Sequence, residues 1–238
     1  MPSVRTPGHE EGERPTSEAT AAPLAPTAAS LLVKRLLRYG LGGRGSLVGS
    51  RELAAKYVAN ARYVDDDARV LALIRSHTLM NFGTGFVTGL GGLITLPVAI
   101  PAALTASWAI HTRLSGAIAA LHGHDVDDDR VQSFVLMTLL GDSGKSVLRK
   151  AGITVANRVA LRGVEAIPVR LLTEINKRVG MRLIAKAGER GVVNLTKAVP
   201  VAGGVVGGGI DARYCNAVGR RAHAVFKPAE PAPPPSPR

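Results

Sequence analysis

The sequence "GFVTGLGGLITLPVAIPAALTASWAI" occupies residues 85–110 and contains no charged residue, although the chain as a whole is strongly basic. It lies within a run of 37 residues, 76–112, in which only two histidines can titrate. A single membrane-spanning helix needs about 20 apolar residues, so this run is short for two such helices and a turn. Helices that are apolar on every face occur both in membranes and in the cores of soluble bundles. The run therefore predicts a helix pair that either inserts in a membrane or fills a helical core.

Two prolines and a series of glycines mark this run. Pro97 and Pro101 each lack a backbone N–H and disfavour helix in the residue before them, which predicts a bent or broken pair of shorter helices. Gly85 and Gly89 have GxxxG spacing, and Gly92 follows nearly one turn later. Such spacing lets the backbone of another helix approach closely. We therefore expect these residues to form a contact with a membrane or with another helix.

A second uncharged run, "AVPVAGGVVGGGI" at residues 198–210, has the same character. It contains Pro200 and five glycines, and its thirteen residues are too few to span a bilayer. Two pairs have GxxxG spacing, Gly203 with Gly207 and Gly204 with Gly208. Glycine costs about 1 kcal/mol in a helix interior, so this number of glycines indicates close backbone contact. We predict that the two Gly- and Pro-marked segments pack on each other.

The remaining patterns also indicate helices. Residues 30–40, "SLLVKRLLRYG", place apolar and basic side chains on opposite faces and stop at Gly40. Ser50 is expected to cap a second helix, and residues 65–67, all Asp, to open a third. The sequence has no sustained strict alternation and no Asn-Gly or Asp-Gly turn. The prediction is an all-α fold, a single helical domain with two Gly/Pro-broken apolar helical segments.

Composition separates this domain from two tails. Residues 1–29 and 227–238 contain 11 of the 15 prolines and lack apolar periodicity, so both are expected to be disordered. Residues 30–226 carry 26 basic and 13 acidic residues and therefore hold the net positive charge. Cys215 is the only cysteine, which excludes an internal disulfide framework and any multi-cysteine metal site. With no export signal visible, we expect a cytoplasmic protein, peripheral on the cytoplasmic face of the membrane.

Several motifs resemble catalytic or metal-binding signatures without completing one. "GDSGKS" at residues 141–146 lacks the first glycine of a phosphate-binding loop and the β-barrels of a serine protease, so it is interpreted as a loop between helices. "HGHDVDDDR" spaces its aspartates like a calcium loop but has Arg130 where that loop needs glycine, which favours helix capping. His122 and His124 are too few ligands to predict a metal. The sequence predicts no catalytic residue, metal or cofactor.

Charged residues beside the apolar runs are further candidate functional residues. An ionised group in apolar surroundings needs a partner or a route to water. Arg113 and Asp211 are therefore proposed as an ion pair, with separate exposure to solvent as the alternative. Lys186, Arg190 and Lys197 are candidates for binding anionic headgroups, with an ordinary solvated face as the alternative.

Three long blocks together resemble the EcsC protein family. They are "GFVTGLGGLITLPVAIPA", "HGHDVDDDRVQSFVLMTLLGD" and "INKRVGMRLIAKAGERGVVNLTKAVPVAGGVVGGGID", in that order, and the similarity extends over residues 50–226. The resemblance implies a bacterial, mostly helical domain, in a family named after a protein encoded beside an ABC transporter, and it implies no reaction. The chain departs from the family at His124, where an aromatic residue is expected, and "ALRGVEAIPVRLLTE" matches no family pattern.

Two classes of function fit these observations. The first is a non-enzymatic, membrane-associated accessory protein. It would dock on anionic lipid or on a membrane partner such as a transporter, through a basic helical surface and Gly/Pro-rich apolar segments. Leu93 and Ile94, in the centre of the uncharged run, are expected contact residues. The second is a soluble helical binding protein for a hydrophobic ligand, a protein or nucleic acid, although few aromatics and no recognition motif disfavour nucleic acid. An uncharacterised hydrolase is a third class of function. The sequence indicates no small-molecule substrate and no oligomeric state.

Overall fold

The computed structural model describes residues 26–43, 45, 47–90, 96–150, 168–194 and 200–228, with the backbone alone described at residues 26, 84–90, 96–104, 150, 187–194 and 200–204. Within these residues the chain forms α-helices joined by turns and contains no β-strand. The helices are α1 (Pro26–Leu41), α2 (Ser50–Val58), α3 (Asp66–Leu90), α4 (Leu96–Leu121), α5 (Asp129–Leu140), α6 (Asp142–Lys150), α7 (Val169–Asn194) and α8 (Pro200–Phe226). The predicted all-α fold class is confirmed.

The first and last helices define the limits of the packed body. α8 ends at Phe226, at the predicted boundary, and this side chain is fully buried. α1 already includes Ala29, which is also fully buried. The carbonyl oxygen of Ala29 lies 2.5 Å from the position that a Cβ on Gly180 of α7 would occupy. The packed body therefore begins before the predicted boundary, while the expected disorder of residues 1–25 and 229–238 lies outside the described residues.

Aspartates begin two helices as predicted, and a serine behaves differently. Asp65 Oδ1 accepts a hydrogen bond from the backbone N–H of Ala68 (2.7 Å), and the Asp128 side chain accepts two from the first turn of α5. Ser50, predicted as the cap of α2, is instead the first residue of that helix. Its buried hydroxyl donates to the carbonyl oxygen of Leu41 at 3.3 Å. This bond ties the start of α2 to the end of α1.

α4 is the central helix of the bundle. Its residues 111–119 are buried without interruption, so side chains on every face of the helix are covered. Trp108 and Ile118 are among the largest buried side chains, and α1, α2, α5 and α8 all pack on this helix. The C-terminal half of α4 is therefore protein core, which explains why this part of the chain is mostly apolar on all faces, with Arg113 as its one charged residue.

The prolines do not break the helices in the predicted way. α3 and α4 contain 25 and 26 residues, and α3 ends before Pro97 and Pro101 are reached. Pro97 is the second residue of α4, where a backbone N–H has no partner within the helix, and Pro101 lies inside the helix. Pro200 begins α8, which continues through the glycine run for 27 residues. The first uncharged run therefore forms a pair of helices, as predicted, but both are longer than expected, and the predicted bending stays a prediction.

Candidate functional site

α3 and α8 form the most extensive helix contact of the domain. At one end, Lys227 Nζ, just after α8, lies 2.5 Å from Asp67 Oδ2 in the first turn of α3. Farther along, Asn81 Nδ2 of α3 donates to Cys215 Sγ of α8 at 3.4 Å. The contacts thus move forward along α3 as they move backward along α8. The two helices are antiparallel, and the last turns of α3 lie beside the first turns of α8.

The same register can be extended toward the two glycine-rich segments. Continued by two turns from Asn81 and Cys215, it brings Gly85 and Gly89 of α3 to the level of Asp211 and Gly207 of α8. Gly208 is buried and its neighbour Gly209 is exposed, so the α8 face with Gly208 packs against protein. A close approach of two helices requires small residues on the facing sides. Close packing of the two glycine-rich segments on each other stays a prediction.

The other predicted packing residues have mixed outcomes. Gly207 is half-buried, beside the buried face of α8. Gly203 lies within α8, where only the backbone is described. Gly92, Leu93 and Ile94 lie outside the described residues, so their predicted contacts stay predictions.

Large apolar side chains are exposed in the middle of α3 and in the first half of α8. Their exposed fractions are 64% for Leu79, 57% for Met80, 40% for Phe82, 53% for Val205, 50% for Val206 and 45% for Ile210. These six residues, three on α3 and three on α8, are called the apolar end of the α3–α8 pair. Contiguous exposed apolar surface marks interaction sites on soluble domains. Sequence patterns did not identify these side chains, because an apolar helix gives no signal of which face stays uncovered.

Charge around the apolar end is positive. After Asp67, α3 contains no acidic residue, and the only acidic residue of α8 is Asp211. Arg75 and Arg213 are both exposed, and each lies within about one helical turn of the apolar end on its own helix. The surface therefore combines apolar side chains with basic neighbours.

Behind this surface, Arg113 of α4 is buried against α3. Its Nη2 lies 3.4 Å from His77 Nε2, and His77 Nδ1 lies 3.1 Å from the carbonyl oxygen of Leu73. A carbonyl only accepts, so Nδ1 carries the ring proton and Nε2 accepts from the guanidinium. Burial and the charge of Arg113 lower the pKa of His77 to about 4, and burial lowers the pKa of Arg113. His77 is thus neutral at neutral pH.

This arrangement replaces the ion pair that the sequence predicts. The ion pairs among the described residues do not include one between Arg113 and Asp211. The guanidinium of Arg113 contacts His77 because α4 packs on α3 at this residue. The positions of the two residues in the sequence do not reveal where two helices cross. A neutral histidine satisfies one N–H of the guanidinium without adding a second charge.

The motifs that resemble catalytic or metal-binding signatures have structural roles. Gly141 has φ 65° and is the single residue between α5 and α6. The prediction that "GDSGKS" is a loop is wrong, because residues 142–146 form the first turn of α6. Asp125 and Asp127 bind Arg51 Nη2 at 3.0 and 2.7 Å. Burial raises the pKa of the Cys215 thiol to about 11, so this group stays protonated and is a poor nucleophile.

Only one of the three candidate headgroup-binding residues has a described side chain. Lys186 of α7 is half-buried, and its Nζ lies 5.5 Å from the ring centroid of Tyr214 of α8. The Tyr214 hydroxyl donates to the carbonyl oxygen of Leu139 at 2.7 Å, which fixes the ring. Arg190 lies in the part of α7 described by backbone alone, and Lys197 lies outside the described residues. Their predicted role in anion binding stays a prediction.

The order and packing of these helices can now be compared with known proteins. The model of the EcsC protein family matches residues 51–228. The chain belongs to the EcsC protein family. The matched region contains α2 to α8 and therefore the whole α3–α8 pair, whereas α1 lies outside it. Comparisons with curated proteins and with solved structures gave no match. No helix in the part of the chain that the structure describes is both long and apolar enough to cross a bilayer.

Proposed function

We propose that the protein is a non-enzymatic accessory protein that docks on anionic membrane surfaces through the apolar end of the α3–α8 pair. The observation that carries the proposal is the set of six large apolar side chains exposed on a single helix pair. A basic chain, with 30 Lys and Arg against 18 Asp and Glu, suits an anionic lipid surface. The same charge would place the protein at the cytoplasmic leaflet.

Two contributions of similar size would hold the protein on the membrane. Full burial of a large apolar side chain is worth about 1.5–3 kcal/mol, and the exposed residues are already partly covered, so each contributes a fraction of that. Each Lys or Arg close to an anionic leaflet adds about 1 kcal/mol before screening by salt. Because neither contribution dominates, we expect moderate salt to release part of the protein and detergent to release the rest.

Vesicle flotation tests the proposal on the full chain. Wild-type protein should float with vesicles that contain phosphatidylglycerol and not with pure phosphatidylcholine vesicles. Leu79→Glu and Phe82→Glu should each reduce flotation severalfold. Leu71→Glu is the matched control, since Leu71 lies on the same helix, is 50% exposed, and is two turns away from Leu79.

Insertion of the uncharged run is tested in the same assay. If residues 91–95 enter the bilayer, replacing Leu93 and Ile94 by Asp removes the fraction that requires detergent, with circular dichroism confirming that the variant folds. A wild-type protein that stays monomeric and does not bind anionic vesicles at low salt would refute the membrane proposal. Equal losses of flotation in Leu71→Glu and Leu79→Glu would refute the assignment to the apolar end.

A further inference from the structure

Three potential metal ligands meet at the opposite end of the α3–α8 pair. Asp67 lies in the first turn of α3, His122 directly after α4, and His223 in the last turn of α8. One ligand atom from each lies within 4.8 Å of the other two. His122 Nε2 is 3.0 Å from His223 Nδ1, and His223 Nε2 is 3.8 Å from Asp67 Oδ1. All three side chains are partly accessible, so an ion can reach them from solvent.

We infer that Asp67, His122 and His223 bind a divalent transition-metal ion, with Zn²⁺ as the best match. Two imidazole nitrogens and one carboxylate oxygen are a common ligand set for this ion. Tetrahedral Zn²⁺ with bonds of about 2.0–2.1 Å holds its ligand atoms roughly 3.3 Å apart, which lies between the two separations given above. The two separations involve different nitrogens of His223, so binding requires this ring to turn until one nitrogen faces the ion. The fourth position would be open to water.

A purely structural hydrogen-bond network is the competing explanation. Lys227 Nζ already neutralises Asp67 through Oδ2 at 2.5 Å, and the two rings can share one proton. The carboxylate has a second oxygen, Oδ1, which faces His223 and is available to an ion. The two explanations give Lys227 different roles. The ammonium group would compete electrostatically with a bound cation, whereas in a structural network it only stabilises the pair.

Metal titration of the full chain tests the site. Protein stripped with EDTA and dialysed should bind one Zn²⁺ or one Co²⁺ per chain by calorimetry, and Co²⁺ should show the strong visible absorption of a four-coordinate ion. His122→Gln and His223→Gln should each weaken binding by more than the 10- to 100-fold typical of lost outer-shell partners. His124→Gln is the matched control, because His124 Nε2 binds the carbonyl oxygen of Phe226 instead (2.9 Å). Lys227→Ala should bind Zn²⁺ more tightly than wild type.

Several results would contradict the proposed metal site. Wild-type protein that binds neither Zn²⁺ nor Co²⁺ with one-to-one stoichiometry excludes it. Undiminished binding in a folded double variant, His122→Gln with His223→Gln, assigns the ion elsewhere. Weaker binding in Lys227→Ala supports the purely structural network. Vesicles are absent from these measurements, so they succeed or fail independently of the proposed membrane docking.

Discussion

Acidification should destabilise this protein in part through His77, a histidine buried between α3 and α4. The ring is 3% exposed and faces the guanidinium of Arg113 at 3.4 Å. Desolvation and this neighbouring positive charge both disfavour the protonated ring and lower its pKa from 6.5 to about 4. In the unfolded chain the ring is solvated and keeps its ordinary pKa.

The sign and size of the effect follow from linkage. As the pH falls below about 6.5, the unfolded chain takes up a proton at His77, and the folded protein does not do so until about pH 4. Stability is therefore greatest above pH 6.5 and is lost between pH 6.5 and 4. From pH 7 to pH 5 the loss due to this one group is about 2 kcal/mol. His122, whose pKa is also about 4, adds a loss in the same direction.

Urea unfolding at pH 8, 7 and 5 in metal-free buffer separates the contribution of His77. His77→Gln keeps a polar side chain beside Arg113 but does not titrate. Its loss of stability between pH 7 and 5 should be about 2 kcal/mol smaller than that of wild type. Between pH 8 and 7 both proteins should change almost equally. The same loss from pH 7 to 5 in wild type and His77→Gln would refute the reasoning, because it would mean that His77 is protonated in the folded protein.

Four further substitutions test helix packing and the cap of α5. In Gly219→Val the Cβ would lie 2.6 Å from Ile74 Cγ1, and such overpacking should cost about 1–3 kcal/mol in urea unfolding, more than the gain in helix propensity. Asp128→Ala removes the cap of α5 and should cost about 1 kcal/mol with an unchanged m-value. Gly89→Leu and Gly207→Leu should each destabilise, and the double variant should lose less than the sum by at least about 0.5 kcal/mol, whereas additive losses would contradict a shared helix contact.

Much of the secondary structure was predictable because its signals are local. Apolar periodicity and the absence of strand alternation predicted the all-α class. The capping roles of Asp65 and Asp128 followed from their positions before apolar periodic residues, and both are observed. Ser50 did not follow this rule, because its hydroxyl is bound by the end of α1, a partner that lies nine residues away in the chain.

The amino-acid sequence by itself determined the all-α class and where the positive charge lies. Only the tertiary structure decided which neighbours meet. Asp67, His122 and His223 are separated by 55 and 101 positions, and the antiparallel α3–α8 pair with the end of α4 brings them together. Arg113 likewise contacts His77 instead of Asp211 because α4 crosses α3 there. Local patterns reflect the helix period of a single segment, whereas the register and crossing of helices depend on packing among residues distant in the chain.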